Sequence, residues 1–314
     1  MGTAQWYRAF AREVHAESPV YEHLALAVAD DDEVLRLLDK LPRPKRQPNL
    51  LFAASRYLGG PVQPPAEFLN WVMRNWADVV ATILARSTQT NEPARCATLL
   101  PVLAALAQPL ALLEVGASAG LCLYPDAYEY RYDGHSVGRP NSPVQIDCAI
   151  SGNPPIPTHV PNVVWRAGID LNPLDVAADD DLRWLESLIW PGQPERIARL
   201  HAAGDIVRAD PPLIRGGDLL AELPTLAARA PIDATLVVFH SAVLAYLPRT
   251  ERIAFTELVR SLPGHWISNE SPDVLPDLLA SAPPLSAAPG SFLVALDGQP
   301  VAVAAAHGQA LHWL

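Results

Sequence analysis

The run LLEVGASAGL, residues 112–121, holds an acid, a serine and two glycines at spacings that serve two different chemistries. As G-x-S-x-G, Gly116, Ser118 and Gly120 form the sharp strand-to-helix turn that exposes a hydrolase's nucleophilic serine. As acid-x-G-x-S-x-G, Glu114 closes a strand and the same glycines open a ligand-holding loop. For the hydrolase, Glu270 or Asp297 and then His307 follow Ser118 in the chain order of nucleophile, acid and histidine. An elbow of that kind follows several earlier strands, one of which supplies an oxyanion-hole loop, whereas here the serine follows the first strand of the chain. For the ligand loop, polar residues end the later apolar runs as well: Asp170 in WRAGIDLNPLD, Asp218 in RGGDLLAELP and His240 in DATLVVFHSAVLAYLP. In open parallel sheets the ligand lies beyond the carboxyl ends of the strands, so a ligand site leaves this recurrence. Each of these residues also has a plain structural use, as a helix cap, a turn former or a hydrogen-bonded buried histidine.

Strands must hold these residues. From Trp6 to about Ala107 apolar residues recur at helical spacing, as in Tyr7, Phe10 and Val14, then Val34, Leu37, Leu38 and Leu41, then Phe68, Val72, Trp76, Val79, Val80 and Ile83. Ser18-Pro19, Pro64-Pro65 and Asn91-Glu92-Pro93 read as helix starts. At Pro109 the pattern changes to short apolar runs, which predict strands at 110–115, 162–169, 212–216, 234–240, 265–270, 292–297 and 301–306. Helices are expected at 179–204, 219–229, 249–262 and 272–281. The organisation expected is an all-α N-terminal domain over 1–107 and an α/β domain over 108–314. Its mainly parallel sheet would end in an antiparallel C-terminal edge hairpin turning at Gly298-Gln299.

Residues 122–161 read as an insert made of a hairpin and an extended loop. Tyr128, Tyr130 and Tyr132 alternate there, as one face of a strand or as an aromatic wall against substrate. The polar run RSTQTNEPARC, Arg86 to Cys96, is an interhelical loop or a substrate lid. In the second case Gln89 and Asn91 touch substrate. Tyr246 is either core or a further substrate contact, and Trp184, Leu185, Leu188 and Trp190 follow helical spacing as core.

With 34 acidic against 23 basic residues and a net charge of -11, the chain presents no general field for nucleic acid or anionic membranes. The basic run Arg43, Lys45 and Arg46 lies among prolines and reads as a turn. Residues 96–113 carry no charge, but Pro101, Gln108 and Pro109 interrupt them, so no membrane span is expected. The N-terminus lacks the apolar stretch of a signal peptide. Three cysteines without C-x-x-C spacing indicate neither a disulfide framework nor a metal site, and a reducing cytoplasm suits them. A G-x-G-x-x-G and a G-K-[ST] loop are both missing, which disfavours nicotinamide cofactors and ATP.

LLEVGASAG, the acid at the next strand end, GGDLLAELP and DATLVVFHSAVLAYL resemble the successive cofactor motifs of class I S-adenosylmethionine-dependent methyltransferases, over roughly residues 108–314. The whole chain also resembles an uncharacterised bacterial family, domain of unknown function 2332, through the strand–loop motif, DLNPLD and VVFHSAVLAY; that resemblance brings no activity. The methyltransferase resemblance implies a Rossmann-like domain binding S-adenosylmethionine. Glu114 and the backbone N–H groups from Gly116 through Ser118 to Gly120 would hold its methionyl end, Asp170 the ribose hydroxyls and Asp218 the adenine amino group. His240 would act as base in O- or N-methylation of a small molecule lying between the two domains. Three departures stand out: Ser118 replaces the usual middle glycine, leaving the loop less free to take positive φ; Glu114 and Asp170 are 56 residues apart, against about 20 in the simplest dinucleotide-binding units; and the first crossover helix is short or displaced by the insert. A sensor or scaffold that keeps the cofactor without the chemistry is the other reading.

Overall fold

The computed structural model describes residues 2–15, 17–89, 91–276 and 290–314. The chain forms two compact units, one of residues 1–90 and 177–198 and one of residues 91–176 and 199–314. This differs from the 1–107 and 108–314 division. Helical periodicity reports that a helix buries one face, without saying in which core.

The helical unit contains α1 (Thr3–Val14), α2 (Pro19–Ala29), α3 (Asp32–Leu38), α4 (Pro48–Tyr57), α5 (Pro65–Arg74) and α6 (Trp76–Ala85). Their starts follow local chemistry. Ser18 accepts from the Tyr21 N–H and Asp31 from those of Glu33 and Val34, while prolines open α2, α4 and α5 in the first turn, where no N–H is needed. Tyr7, Tyr21, Phe52 and Phe68 meet at ring distances of 4.8–6.1 Å in the core. After α7 (Cys96–Ala105), which belongs to the sheet unit, α8 (Asp179–Leu188) returns to the helical one. Buried Trp184 donates to the Ser87 carbonyl at 3.1 Å, and Arg86 pairs with Asp181 at 2.6 Å and with Asp180. The expected helix over 179–204 is therefore two, α8 and α9 (Pro194–Ala209), broken at Pro191-Gly192. The basic run is structural: Lys45 donates to the Arg86 carbonyl and Arg46 to that of Leu41. No described helix is long and apolar enough to cross a membrane.

The sheet unit contains β1 (Leu110–Val115), β2 (Glu129–Tyr132), β3 (His135–Gly138), β4 (Gln145–Ser151), β5 (Val163–Asp170), β6 (Leu213–Gly216), β7 (Thr235–Ser241), β8 (His265–Glu270), β9 (Ser291–Leu296), β10 (Gln299–Ala305) and β11 (Ala310–Trp313). Among the described residues they form one sheet in the order β3-β2-β4-β11-β10-β9-β8-β7-β1-β5-β6. From β8 to β6 neighbouring strands are parallel, and β1, buried along its whole length, lies at the centre with β5 and β7 on either side. Such a strand is covered on both faces and so reads as an unbroken apolar run. Helices α10 (Leu219–Ala227) and α11 (Arg249–Ser261) share a core with one face through Leu223, Phe255, Val238 and Trp266.

At the C-terminal end β9 and β10 are antiparallel, as expected, but the turn is Asp297-Gly298, one residue earlier than Gly298-Gln299. Both residues have positive φ, which suits Asp-Gly in a two-residue hairpin. Nor is this hairpin the edge. β11 pairs antiparallel with β10 and parallel with β4, so strands of the 122–161 insert continue the sheet. The β2–β3 hairpin lies where the insert was expected to form one. Its tyrosines are not a substrate wall: Tyr128, Tyr130 and Tyr132 are fully buried, and their hydroxyls donate to the carbonyls of Leu121, Pro125 and Ala97. Half of the helix expected at 272–281 lies outside the described residues, and the described part opens with a turn from Ser271 to Val274.

Candidate functional site

The carboxyl end of β1 lies where the strand order reverses: after the insert strands β2 to β4, the chain takes β5 and β6 on one side of β1 and then β7 and β8 on the other. Open α/β sheets bind ligands at such a reversal. Here the Gly116–Gly120 loop turns sharply, with φ of 74° at Gly116, 50° at Ser118 and 73° at Gly120. Ser118 takes the left-handed conformation despite its Cβ because both its backbone groups are held: its N–H donates to Asp170 Oδ2 at 2.8 Å and its carbonyl accepts from Leu174 N–H at 3.2 Å. Gly116 is required by the chain itself, since a Cβ there would lie 2.3 Å from a Val243 methyl.

This geometry corrects the expected cradle of free amides. The Gly116 and Ala117 N–H groups donate to the Ile169 carbonyl, that of Ser118 to Asp170, and that of Gly120 to the Ala117 carbonyl. Four of the loop's amides thus close the loop on the protein instead of facing outward. What remains is a set of side chains. Glu114 is 6% exposed and its Oε2 meets no hydrogen-bond partner among the described residues. Burial drives its carboxyl well above the usual range; Cys122 and Asp170 push the same way, and Arg95 opposes them. The Ser118 hydroxyl and the Asn91 side-chain NH2 are likewise buried without a partner, while Asn91 Oδ1 accepts from the Leu121 N–H at 3.5 Å.

Two strand neighbours extend the set. In register Glu114 lies beside Phe239, and Ser241, two residues further along β7, lies beside Asn269 of β8. Period-two alternation puts Glu114, Ser241 and Asn269 on one face and Val115, His240 and Ser268 on the other. Asn269 Nδ2 donates to Ser241 Oγ at 2.8 Å, and its buried Oδ1 has no partner among the described residues. Buried Arg95 donates to the carbonyls of Ser241 and Ala306 at 3.0 and 2.9 Å. Arg95 was read only as one polar residue of the Arg86–Cys96 run, and Asn269 not at all. The one signal was polar residues standing against apolar runs, in NEPARC and HWISNE.

The other predicted residues divide. Asp170 lies at the site, but each carboxylate oxygen already accepts one backbone bond, from Ser118 and from Asn172. Asp218 caps α10 through Oδ1, which accepts from Leu220 and Ala221. His240 is fully buried. Trp266 Nε1, which can only donate, points at its Nε2 at 3.0 Å, so the ring proton sits on Nδ1 and is given to Glu270 Oε1 at 2.7 Å. Both nitrogens are committed, and neither faces a substrate as a base requires. Glu270 Oε1 also accepts from the N–H groups of Val243 and Leu244 at 2.8 and 3.0 Å, which fixes the turn after β7. Beyond that turn Tyr246 is 72% exposed, and Leu171 beyond β5 is 70% exposed, so Tyr246 is not core. Gln89 belongs to the helical unit and Asn91 to the sheet unit.

The triad is not assembled. Glu270 serves His240, Asp297 accepts from His265 at 2.7 Å, and the Ser118 hydroxyl meets no base among the described residues. Among those residues no group of three or more His, Cys, Asp or Glu could hold a metal ion.

The model of a family described as an uncharacterized protein conserved in bacteria, DUF2332, matches residues 4–313. The chain belongs to the DUF2332 family. The match takes in both units of the DUF2332 chain, so the helical unit is part of the family's own extent. Searches of curated proteins and of solved structures found no match to this DUF2332 protein.

Proposed function

We propose that the sheet unit of this DUF2332 protein is a Rossmann-like methyltransferase domain that binds S-adenosylmethionine beyond the carboxyl ends of β1, β5 and β7 and methylates oxygen or nitrogen of a small molecule. The observation that carries the reading is Glu114, a buried carboxyl whose Oε2 has no partner among the described residues, at the end of the central parallel strand, where the strand order reverses. The parallel succession β6-β5-β1-β7-β8 supports the fold assignment.

The donor and acceptor set suits the cofactor. Glu114 and the Asn91 amide offer an acceptor and a donor to the charged amino-acid end. Asp170, at the end of β5, would accept from the ribose hydroxyls, and Asp218 Oδ2 from an amino group. Exposed Leu171 and Tyr246 offer apolar surface at the same edge. Bound there, the sulfonium supplies an electrophilic methyl group. The chain's own contribution is positioning, with Glu270 fixing the turn before Tyr246 and Asp170 fixing the loop. His240 orients Glu270 and takes no substrate proton.

That commitment of His240 favours a second reading, a cofactor-binding protein without methyl transfer. Calorimetry with S-adenosylmethionine and its demethylated product separates the cases. The expected result is micromolar binding of both, weakened about tenfold or more in Glu114→Ala. No binding of either overturns the assignment. Tight binding without turnover across amine and hydroxyl acceptors selects the second reading.

A further inference from the structure

The Gly116–Gly120 loop is followed by the short turn Leu121–Leu123 and by no α-helix among the described residues before β2. Carbonyls that a helix would satisfy internally are taken here by side chains. Tyr128 donates to the Leu121 carbonyl at 2.5 Å, Arg166 Nη1 to that of Leu123 at 3.0 Å and Tyr130 to that of Pro125 at 2.7 Å. The two tyrosines belong to the insert itself, whereas Arg166 comes from β5, where it lies beside Leu112 of β1. Its Nη2 donates to Asp126 Oδ2 at 2.7 Å. The guanidinium also lies 4.7 Å from the centre of the Tyr124 ring, whose hydroxyl donates to the Asp210 carbonyl. The Arg166 side chain is 14% exposed.

Asp170 stands four residues further along β5, on the same face as Arg166 and about 13 Å from it, since side chains alternate along a strand that rises about 3.3 Å per residue. Asp170 takes the Ser118 N–H, and Arg166 takes Leu123 and Asp126. We propose that Arg166 is a positioning residue of the ligand loop, which together with Asp170 strings residues 118–126 along β5 and takes the place of the crossover helix. A planar guanidinium suits this use, because it bonds a carbonyl and a carboxylate through separate nitrogens while its face lies on a ring; an ammonium cannot do all three. The hold passes directly into the loop, since the Leu123 N–H donates to the Gly120 carbonyl at 3.1 Å. That the loop's ligand is S-adenosylmethionine rests on the function proposed above; that Arg166 fixes the loop does not.

The test uses the full chain with Arg166→Lys and Arg166→Met. Amide hydrogen exchange read by mass spectrometry compares residues 116–123 with β1 and β7, and calorimetry measures the affinity for S-adenosylmethionine. In Arg166→Lys the amides of 116–123 are expected to exchange at least about tenfold faster relative to those of β1 and β7, because the loop opens locally while the sheet stays closed. The dissociation constant for S-adenosylmethionine should rise about tenfold in the same variant, since its binding then includes closing the loop. Arg166→Met should open the loop further; if it does not fold, the lysine variant decides alone. A role in overall stability alone predicts equal acceleration in loop and strands. That result overturns the inference, as does a loop that stays protected in Arg166→Lys, or one that opens with no loss of an affinity the wild type has. If S-adenosylmethionine binds neither wild type nor variants, the cofactor reading fails and the exchange rates still decide the role of Arg166.

Discussion

A methyl of Val243 stands 2.3 Å from the place where a Cβ on Gly116 would lie, and the Val243 N–H is held by Glu270 at 2.8 Å. The glycine that reads as a ligand-loop residue therefore accommodates the turn after β7. Gly116→Ala is expected to cost at least about 2 kcal/mol, from left-handed backbone and overpacking together. Adding Val243→Ala should return the overpacking part, with a coupling of about 1–3 kcal/mol in a urea-denaturation cycle. Additive losses would place the whole cost in the backbone.

Glu270 accepts three bonds on one oxygen, from His240, Val243 and Leu244. Glu270→Ala leaves three buried donors unpaired and is expected to cost about 3–5 kcal/mol. Trp266→Phe removes the donor to His240 Nε2 and trims a buried ring that also meets Phe255, and should cost about 1–3 kcal/mol. Thermal unfolding of both variants checks the ranking, and a milder loss for Glu270→Ala would mean that the turn holds without its clamp.

Asp170 joins β5 to the loop after β1. Asp170→Ala removes two accepted backbone bonds and is expected to lower stability by about 1–3 kcal/mol. S-adenosylmethionine binding should weaken beyond that loss, because Ser118 is no longer pinned at positive φ. Asp170→Asn keeps one carbonyl acceptor and should fall between. Urea titration and calorimetry together measure both effects, and unaltered stability would show that the loop keeps its shape without Asp170.

The Glu114 proton gives a pH signature. Burial raises this carboxyl in the folded state, whereas in the unfolded chain it ionises near about pH 4.3. Above that value the folded state binds more protons than the unfolded one, so this group's contribution falls as pH rises. Glu114→Gln is expected to flatten that fall in unfolding free energy between about pH 5 and pH 7. Parallel curves for the two proteins would mean that Glu114 is already ionised in the fold.

A cationic ligand at Glu114 would displace that proton, since an opposite charge favours the carboxylate. Calorimetry of S-adenosylmethionine in buffers of different ionisation enthalpy should show about one proton released by the wild type and none by Glu114→Gln. Equal release in both would move the cation elsewhere.

The strands around the site were legible as short apolar runs: LALLEV is β1, and all but the first residue of NVVWRAGI and of ATLVVFH lies in β5 and β7, although of the three only β1 is buried along its whole length. The polar residues ending them were legible for the same reason, as breaks in apolar runs. Which of them remain available was not. Asp218 is taken up by its own helix, a cap readable from the sequence, but Asp170 is held by Ser118 and His240 by Glu270 and Trp266, partners that come from a separate loop and a later strand. β4 and β11 were missed because QIDCAIS and ALHW mix polar and apolar residues at short length, and only their pairing makes them strands. The place of α8 was illegible too, since Trp184 and Arg86 are joined to their partners only in three dimensions.

The pairing of β11 with β4 has a consequence for the order in which the molecule can be made. Ala310 to His312 lie beside Ala149 to Ser151, and Ser151 Oγ meets His312 Nδ1 at 2.8 Å. During synthesis β4, with β2 and β3, leaves the ribosome long before the strand that joins it to β10. Until then it has an open edge able to pair with another chain, as does β10 when it arrives. Sequence separation of this size slows folding and lengthens that exposure. A nascent or C-terminally clipped chain therefore carries two unpaired edges of one sheet, and aggregation of such chains during expression is the cost of joining the middle of the sequence to its end.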